Sequence, residues 1–326
     1  MTRPKIALLA MGGTIASFGA RPDATSIYEL DAARDPVGDA VPMLADAADV
    51  LIETFAHLPS HDVPVALVLD LARRIAAIRN EGLVQGVVVS HGTDTLEETA
   101  YLLDLLLPAG LPVIVTGAAR PASALSADGP LNLLNAVKVA AHSDAARRGV
   151  LVCLNERISA ARSVTKAHTS AVDAFRDAEQ GHVGAITGTQ IFFHHPPSIV
   201  QRPLFDATRT CPLPDVEIIP CHLGVGPGLF ECALEQRVEG VVIAGTGNGS
   251  VPEALKPTLA RARAGGVIVV RASRVGAGAV SAGKIDAEHG TIPAGWLSPH
   301  KARLLLMLAL RQTRDRDAIA DLFGLA

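Results

Sequence analysis

The 326-residue sequence predicts an α/β protein of two α/β domains, a larger amino-terminal one with a mostly parallel sheet flanked by helices and a smaller carboxyl-terminal one built on a second parallel sheet. Three observations carry that expectation. Short, continuously apolar runs, such as residues 6–11 and 87–89, have the character of strands buried on both faces, which belongs to parallel sheets. These runs alternate with segments of helical periodicity, the order expected of right-handed β-α-β crossovers. Between residues 194 and 214 the alternation breaks down: Pro196, Pro197, Pro203, Pro212 and Pro214 crowd a stretch without periodicity. Domains are therefore expected over residues 1–195 and 215–326, joined by a linker at 196–214.

Composition narrows the function classes. With 49% hydrophobic and 19% charged residues the chain is globular rather than disordered. A net charge of -4, with Lys and Arg dispersed, leaves no electrostatic footprint for nucleic acid. Cys153, Cys211, Cys221 and Cys232 lack metal-ligand spacing, and a disulfide framework is not expected at this length. No run approaches the roughly 18 apolar residues that span a bilayer, so no membrane role is expected. The run 6–11 is shorter than a signal-peptide core and meets Gly12-Gly13 at once; it reads as a first core strand and points to a cytoplasmic protein.

Taken in order, strand 6–11 ends in Gly12-Gly13-Thr14, where two glycines permit a tight bend and a close approach to a ligand. Residues 17–30 turn polar, with Gly19, Pro22 and Asp23, and read as a surface loop and lid carrying Tyr28. A strand is expected at 49–55, then a helix at 65–80 with Leu67, Leu71, Ile75 and Ile78 on one stripe. After the strand at 87–89, Thr95 and Glu98 form a capping-box pattern that starts a helix. Residues 90–94 then lie at a strand's carboxyl end against a helix amino terminus, where open α/β sheets bind ligands. Strand 112–116 leads through a turn at 117–129 to Pro130 at a first helical position and a helix over 131–142. Strand 150–154 follows, then ISAARSVTKAHT with Lys166. Beyond the linker, strands are expected at 216–219, 240–244 and 267–270, with helices at 227–236, 252–264 and 299–311.

Thr14 and Thr93 each stand just beyond a buried strand, and Asp94 adds a carboxylate. Spacing alone does not separate a shared site from two unrelated loop turns. Were they together, the chemistry would be substitution at an acyl carbon, with a weak hydroxyl nucleophile that needs activation. Lys166 is a candidate basic partner, because a lysine in a dry polar pocket titrates lower; on spacing alone, a solvated loop lysine is the better reading. Ser60-His61-Asp62 cannot form a triad, since adjacent side chains diverge. His57 and His61 are separated by Pro59, which argues against a helical metal pair, and His194-His195 reads as surface loop; no metal site is assigned. The glycines at 245, 247 and 249 fit a tight turn better than a phosphate cradle, since no Walker lysine follows.

Four motifs in order, MGGTIAS, VVVSHGTDTLEETAY, TGAARPASALSADGPLNLLNAV and SVTKAHT, resemble the bacterial L-asparaginase family. Further on, IAGTGNGSVP, VRASRVGAG and LSPHKARLLLMLAL are similar to that family's carboxyl-terminal domain, so the resemblance covers nearly the whole chain. It implies two α/β domains, a homodimer or homotetramer, and hydrolysis of an amino-acid amide, L-asparagine, to L-aspartate and ammonia without metal or cofactor. Carried over by position, it implies Thr14 as nucleophile and Tyr28 as the lid tyrosine bonded to it. Thr93, Asp94 and Lys166 match the supporting triad, with Lys166 polarising Thr93 and Asp94 receiving the substrate ammonium. Ser60 matches the residue that binds the substrate carboxylate, and Gly13, His61, Thr93, Ala119 and Asn248 fall at substrate-contact positions. Backbone amides near Gly13 and Thr93 would serve as oxyanion donors.

Two positions depart from the family. His61 replaces a glutamine that contacts the substrate ammonium, and around residues 280–286 an acidic residue lent by the neighbouring subunit has no clear counterpart, with Ile285 near its place and Asp286 and Glu288 close by. Both affect the amino-acid end of the substrate. The alternatives are a related amidohydrolase preferring glutamine or another amide, and a catalytically silent amino-acid-binding protein.

Overall fold

The computed structural model describes residues 3–25, 28–30, 36–39, 41–197, 205–207 and 212–325 and divides into two compact units, Met1–Thr208 and Arg209–Ala326. Most of the expected 196–214 linker, including Pro203, lies outside the described residues, as does Cys211. Among the described residues no helix is long and apolar enough to cross a membrane.

In the first unit β1 (Lys5–Ala10) leads to a tight turn, then to the short pair β2 (Ser17–Phe18) and β3 (Glu29–Leu30). Two single-turn helices, α1 (Pro36–Asp39) and α2 (Val41–Leu44), precede β4 (Asp49–Thr54) and α3 (Val65–Glu81). There follow β5 (Gly86–Ser90), α4 (Leu96–Leu106), β6 (Val113–Thr116), α5 (Gly129–Ala140), β7 (Val150–Leu154) and β8 (Arg157–Ala160). A separate ladder joins β9 (Thr165–Lys166) to β10 (Phe175–Arg176), and β11 (Gly184–Thr187) and β12 (Gln190–Phe193) complete the unit. The eight-stranded sheet has the order β12-β11-β8-β7-β6-β5-β1-β4. Its centre is dry: all five residues of β5 are buried, and Leu71, Ile75 and Ile78 of α3 pack inward while Leu67 stays half-buried.

Three local expectations give way to tertiary contacts. The crossover pattern stops at β7: Asn155 (φ 48°) and Glu156 (φ 59°) form a two-residue turn, and β8, β11 and β12 add antiparallel to the sheet, which is therefore mixed. A turn with both central residues in the left-handed region matches the twist of a hairpin, so the chain doubles back instead of crossing over. Helix α4 begins at Leu96, but Thr95 closes no capping box; its hydroxyl donates to the Ser60 carbonyl at 2.6 Å. Within 17–30 the described residues are tied down rather than loose loop: β2 pairs with β3, Gly19 N–H donates to Ser123 Oγ at 2.8 Å and Leu125 N–H to the Pro22 carbonyl at 2.8 Å.

The second unit is a parallel four-stranded sheet, β13 (Val216–Pro220), β14 (Gly240–Gly245), β15 (Ile268–Ser273) and β16 (Ile292–Pro293). Helices α6 (Gly228–Glu235), α7 (Lys256–Ala264), α8 (Lys284–His289), α9 (Pro299–Gln312) and α10 (Arg316–Leu325) surround it. The 245–249 turn is closed by a bridge between Thr246 and Ser250, a tight reversal as its glycines suggest. Arg271 interrupts the apolar run of β15 and is nearly fully buried. It makes a bidentate pair with Asp286 at 2.7 and 2.6 Å, and Thr291 donates to the same carboxylate at 2.6 Å. Truncating Asp286 to Ala strands this guanidinium in the core. The change is expected to cost about 3 kcal/mol in denaturant unfolding, whereas replacing both Arg271 and Asp286 by apolar residues should cost far less.

Candidate active site

The site begins with strand adjacency. β1 and β5 are parallel neighbours in register (Leu9 with Val89, Ala10 with Ser90), so the loops carrying Thr14 and Thr93 leave the same sheet edge. They touch: a β-carbon at Gly13 (φ 82°) would lie 2.3 Å from Gly92 Cα, so this approach requires glycine. Thr14 opens the short 3-10 turn that follows and is buried, and its Oγ1 shares a 2.9 Å hydrogen bond with the Tyr28 hydroxyl. Tyr28 lies just before β3, which pairs with β2.

On the β5 loop, the Lys166 ammonium donates to Thr93 Oγ1 at 2.9 Å and to Asp94 Oδ1 at 2.6 Å. Lys166 is largely buried while Asp94 is 58% exposed, so the pair straddles the wall of an open cleft. The hydrogen bond from Lys166 holds the Asp94 carboxyl below the usual carboxylate range, against the opposing pull of partial burial; Lys166 and His61 charges add to the lowering. Ser60, buried at the start of its own 3-10 turn, accepts the Asp94 N–H at 3.1 Å. His61 Nδ1 stands 3.7 Å from Asp94 Oδ2, the carboxylate oxygen turned away from Lys166. Tyr28, Thr93, Asp94, Ala119, Lys166 and Phe175 line a common open pocket. Thr14 meets this pocket through Tyr28.

Asn248 belongs to the second unit, where it is exposed; its amide donates to Ser281 Oγ at 2.8 Å and its carbonyl accepts the Ser281 N–H at 2.9 Å. Asp286, one of the acidic residues near the missing family position, is consumed by Arg271 and Thr291. His194 and His195 are exposed beside the β12 edge. Among the described residues, no group of three or more His, Cys, Asp or Glu is arranged to hold a metal ion.

The structure adds residues that spacing does not reveal. His91 is fully buried beneath the turn, its Nδ1 2.7 Å from the Gly92 carbonyl and its Nε2 3.1 Å from Thr99 Oγ1. Burial lowers its pKa and favours the neutral ring. A carbonyl only accepts, so Nδ1 carries the proton and Nε2 receives the Thr99 hydroxyl. Asp128 accepts the N–H groups of Ala119 and Arg120 at 2.9 Å each, fixing the turn that presents Ala119. Glu97 accepts the Lys166 N–H at 2.9 Å and the Thr165 hydroxyl at 3.0 Å. Locally Glu97 and Asp128 look like ordinary helix-start acids; only their partners distinguish them, the preceding turn for Asp128 and residues some seventy positions away for Glu97.

Comparison with known proteins is concordant over both units. Residues 5–199 match the family model described as "Asparaginase, N-terminal", and residues 215–323 match "Glutaminase/Asparaginase C-terminal domain". L-asparaginase 2 of Bacillus subtilis is 40% identical, covering 98% of this chain and 86% of that protein. A glutaminase-asparaginase of Pseudomonas fluorescens is 37% identical, covering 99% of this chain and 91% of the other. Among solved structures, the probable cytoplasmic L-asparaginase of Campylobacter jejuni superposes with a TM-score of 0.93 at 39% identity, over 99% of each chain.

Proposed function

The chain belongs to the asparaginase family and is an L-asparaginase-type amidohydrolase, and from that premise we propose that it hydrolyses L-asparagine to L-aspartate and ammonia through Thr14 as nucleophile. The observation that carries the assignment is the meeting of two polar pairs at one pocket, Thr14 with Tyr28 and Lys166 with Thr93 and Asp94. In the first step Thr14 Oγ1 bonds to the side-chain amide carbon, its proton passes to the amide nitrogen with the Tyr28 hydroxyl as its hydrogen-bonded neighbour, the carbon–nitrogen bond breaks and ammonia leaves. Water then adds to the resulting ester, aspartate departs, and the proton returns to Thr14. Backbone amides near Gly13 and Thr93 stabilise the oxyanion, a contribution of about 10²–10³ in rate for a single donor. Asp94 and Ser60 bind the α-ammonium and α-carboxylate of the substrate. Purified protein should release ammonia from L-asparagine without added metal; tight asparagine binding with no ammonia would instead identify a silent binding protein.

A second reading, preference for glutamine or another amide, is favoured by one observation: His61 stands beside the Asp94 oxygen that would face the substrate ammonium. When protonated it competes with that ammonium for the same carboxylate. His61→Gln is expected to reorder a panel of amides ranked by kcat/KM, with the largest change for substrates bearing a free α-ammonium; identical rankings for variant and parent would exclude a role for His61 in selection. The protein acts as a homodimer or homotetramer in the cytoplasm, in keeping with the cytoplasmic designation of the Campylobacter jejuni protein; solution mass and cell fractionation test both points.

A further inference from the structure

We propose that Glu97 is a positioning residue that aims Lys166 at Thr93 and Asp94. The inference rests on the role given to Lys166 above. Lys166 stands outside the eight-stranded sheet, on a two-residue strand that pairs with the equally short β10. Its nearest main-chain tie beyond that pairing, Ala167 N–H to the Ala174 carbonyl at 2.7 Å, holds the 165–176 excursion to itself and not to the reacting turn.

Glu97 supplies the missing link. It is the second residue of α4, three positions after Asp94, and it is 5% exposed. A single oxygen, Oε1, accepts both the Lys166 N–H and the Thr165 hydroxyl. At the other end of the same lysine, Nζ reaches back to Thr93 and Asp94. Residues 93, 94 and 97 of one strand-turn-helix therefore grip Lys166 at its backbone and at its tip. A lysine stem has four rotatable carbons, and a hold at both ends removes most of its freedom before substrate arrives. The two bonds, at 3.0 and 2.9 Å, tie both the side chain of Thr165 and the main chain of Lys166 to the start of α4. A carboxylate at a buried helix position is costly compared with a packed apolar side chain, so stability alone is a poor reason for it. Leu96 and Ala100 beside it show what the helix otherwise places inside.

Kinetics of Glu97→Ala, Glu97→Gln, Glu97→Asp, Lys166→Met and the Glu97→Ala/Lys166→Met pair test the inference, with unfolding midpoints measured for each. Glu97→Ala is expected to lower kcat about 100-fold, the scale of a misplacement near 1 Å. Glu97→Gln keeps an acceptor at the same reach and should stay within about threefold of the parent. Glu97→Asp keeps the charge but falls a methylene short, and should lose about tenfold while folding normally, which covers the case of an unstable alanine variant. In the Lys166→Met background Glu97→Ala should bring no loss beyond about twofold, because the residue it aims is gone. An undiminished loss in that background, or full kcat in both the alanine and aspartate variants alongside an inactive Lys166→Met, would overturn the role of Glu97 alone. Full activity of Lys166→Met would overturn the assignment of the lysine itself, and this inference with it.

Discussion

Replacing Thr14 by alanine is expected to lower ammonia release from L-asparagine by about 10⁴-fold or more while the protein remains folded. The size follows from the chemistry: with no hydroxyl, no ester forms, and what remains is whatever the oxyanion donors and substrate binding give to attack by water. The structural cost is small by comparison. Thr14 is buried in a short turn and its hydroxyl shares a hydrogen bond with Tyr28, so the loss in stability is about 1 kcal/mol. Substrate binding should survive, because Ser60 and Asp94 stand on other loops. Steady-state turnover, asparagine affinity and the unfolding midpoint, measured together, separate the two effects. Wild-type turnover in the alanine variant would transfer the nucleophile's role elsewhere, with Thr93 the next residue to replace.

Lys166→Met is expected to lower kcat by about 10³-fold, within the usual span for loss of a proton-transfer group. Methionine fills much of the same volume, so packing changes little while two hydrogen bonds, to Thr93 and Asp94, disappear. The variant has a second signature in pH. The Lys166 hydrogen bond is the main cause of the depressed Asp94 pKa, so in the methionine variant the Asp94 carboxyl should titrate nearer the ordinary carboxylate value of about 3.9. The sign follows from linkage. A depressed carboxyl adds stability above its unfolded-state pKa and loses it as pH falls through the lower folded-state pKa. Acidification below about pH 4 should therefore weaken the parent protein through this group and affect the variant less. Carboxyl chemical shifts followed through an acid titration report Asp94 in both proteins; an unmoved midpoint would mean that the lysine does not govern this carboxylate.

Much of the architecture was legible because its causes are local. A triple valine is comfortable only in a strand buried on both faces, and Val87, Val88 and Val89 are wholly buried in β5. Paired glycines after β1 foretold a tight turn; the main chain that Gly13 closely approaches is that of Gly92. Once two such strands are parallel neighbours, Thr14 and Thr93 must leave from one edge. The hairpin after β7 was less legible. Asn155-Glu156 lacks the glycine that usually marks such a turn, and the strands it joins are short.

By itself, then, the chain determined its class, the order of the main strands and helices as far as β7 and of the larger elements of the second unit, the strand ends where polar residues gather, and membership of a known family. These depend on hydrophobic period and on residues a few positions apart. Tertiary structure decided which local options were taken: Thr95 turned to Ser60 instead of capping its helix, Asp286 was locked to Arg271, and Glu97 reached Lys166, 69 positions away in sequence. The reason is physical. A buried polar side chain takes whichever partner the folded chain presents at hydrogen-bonding distance, and that distance is set by how distant segments pack.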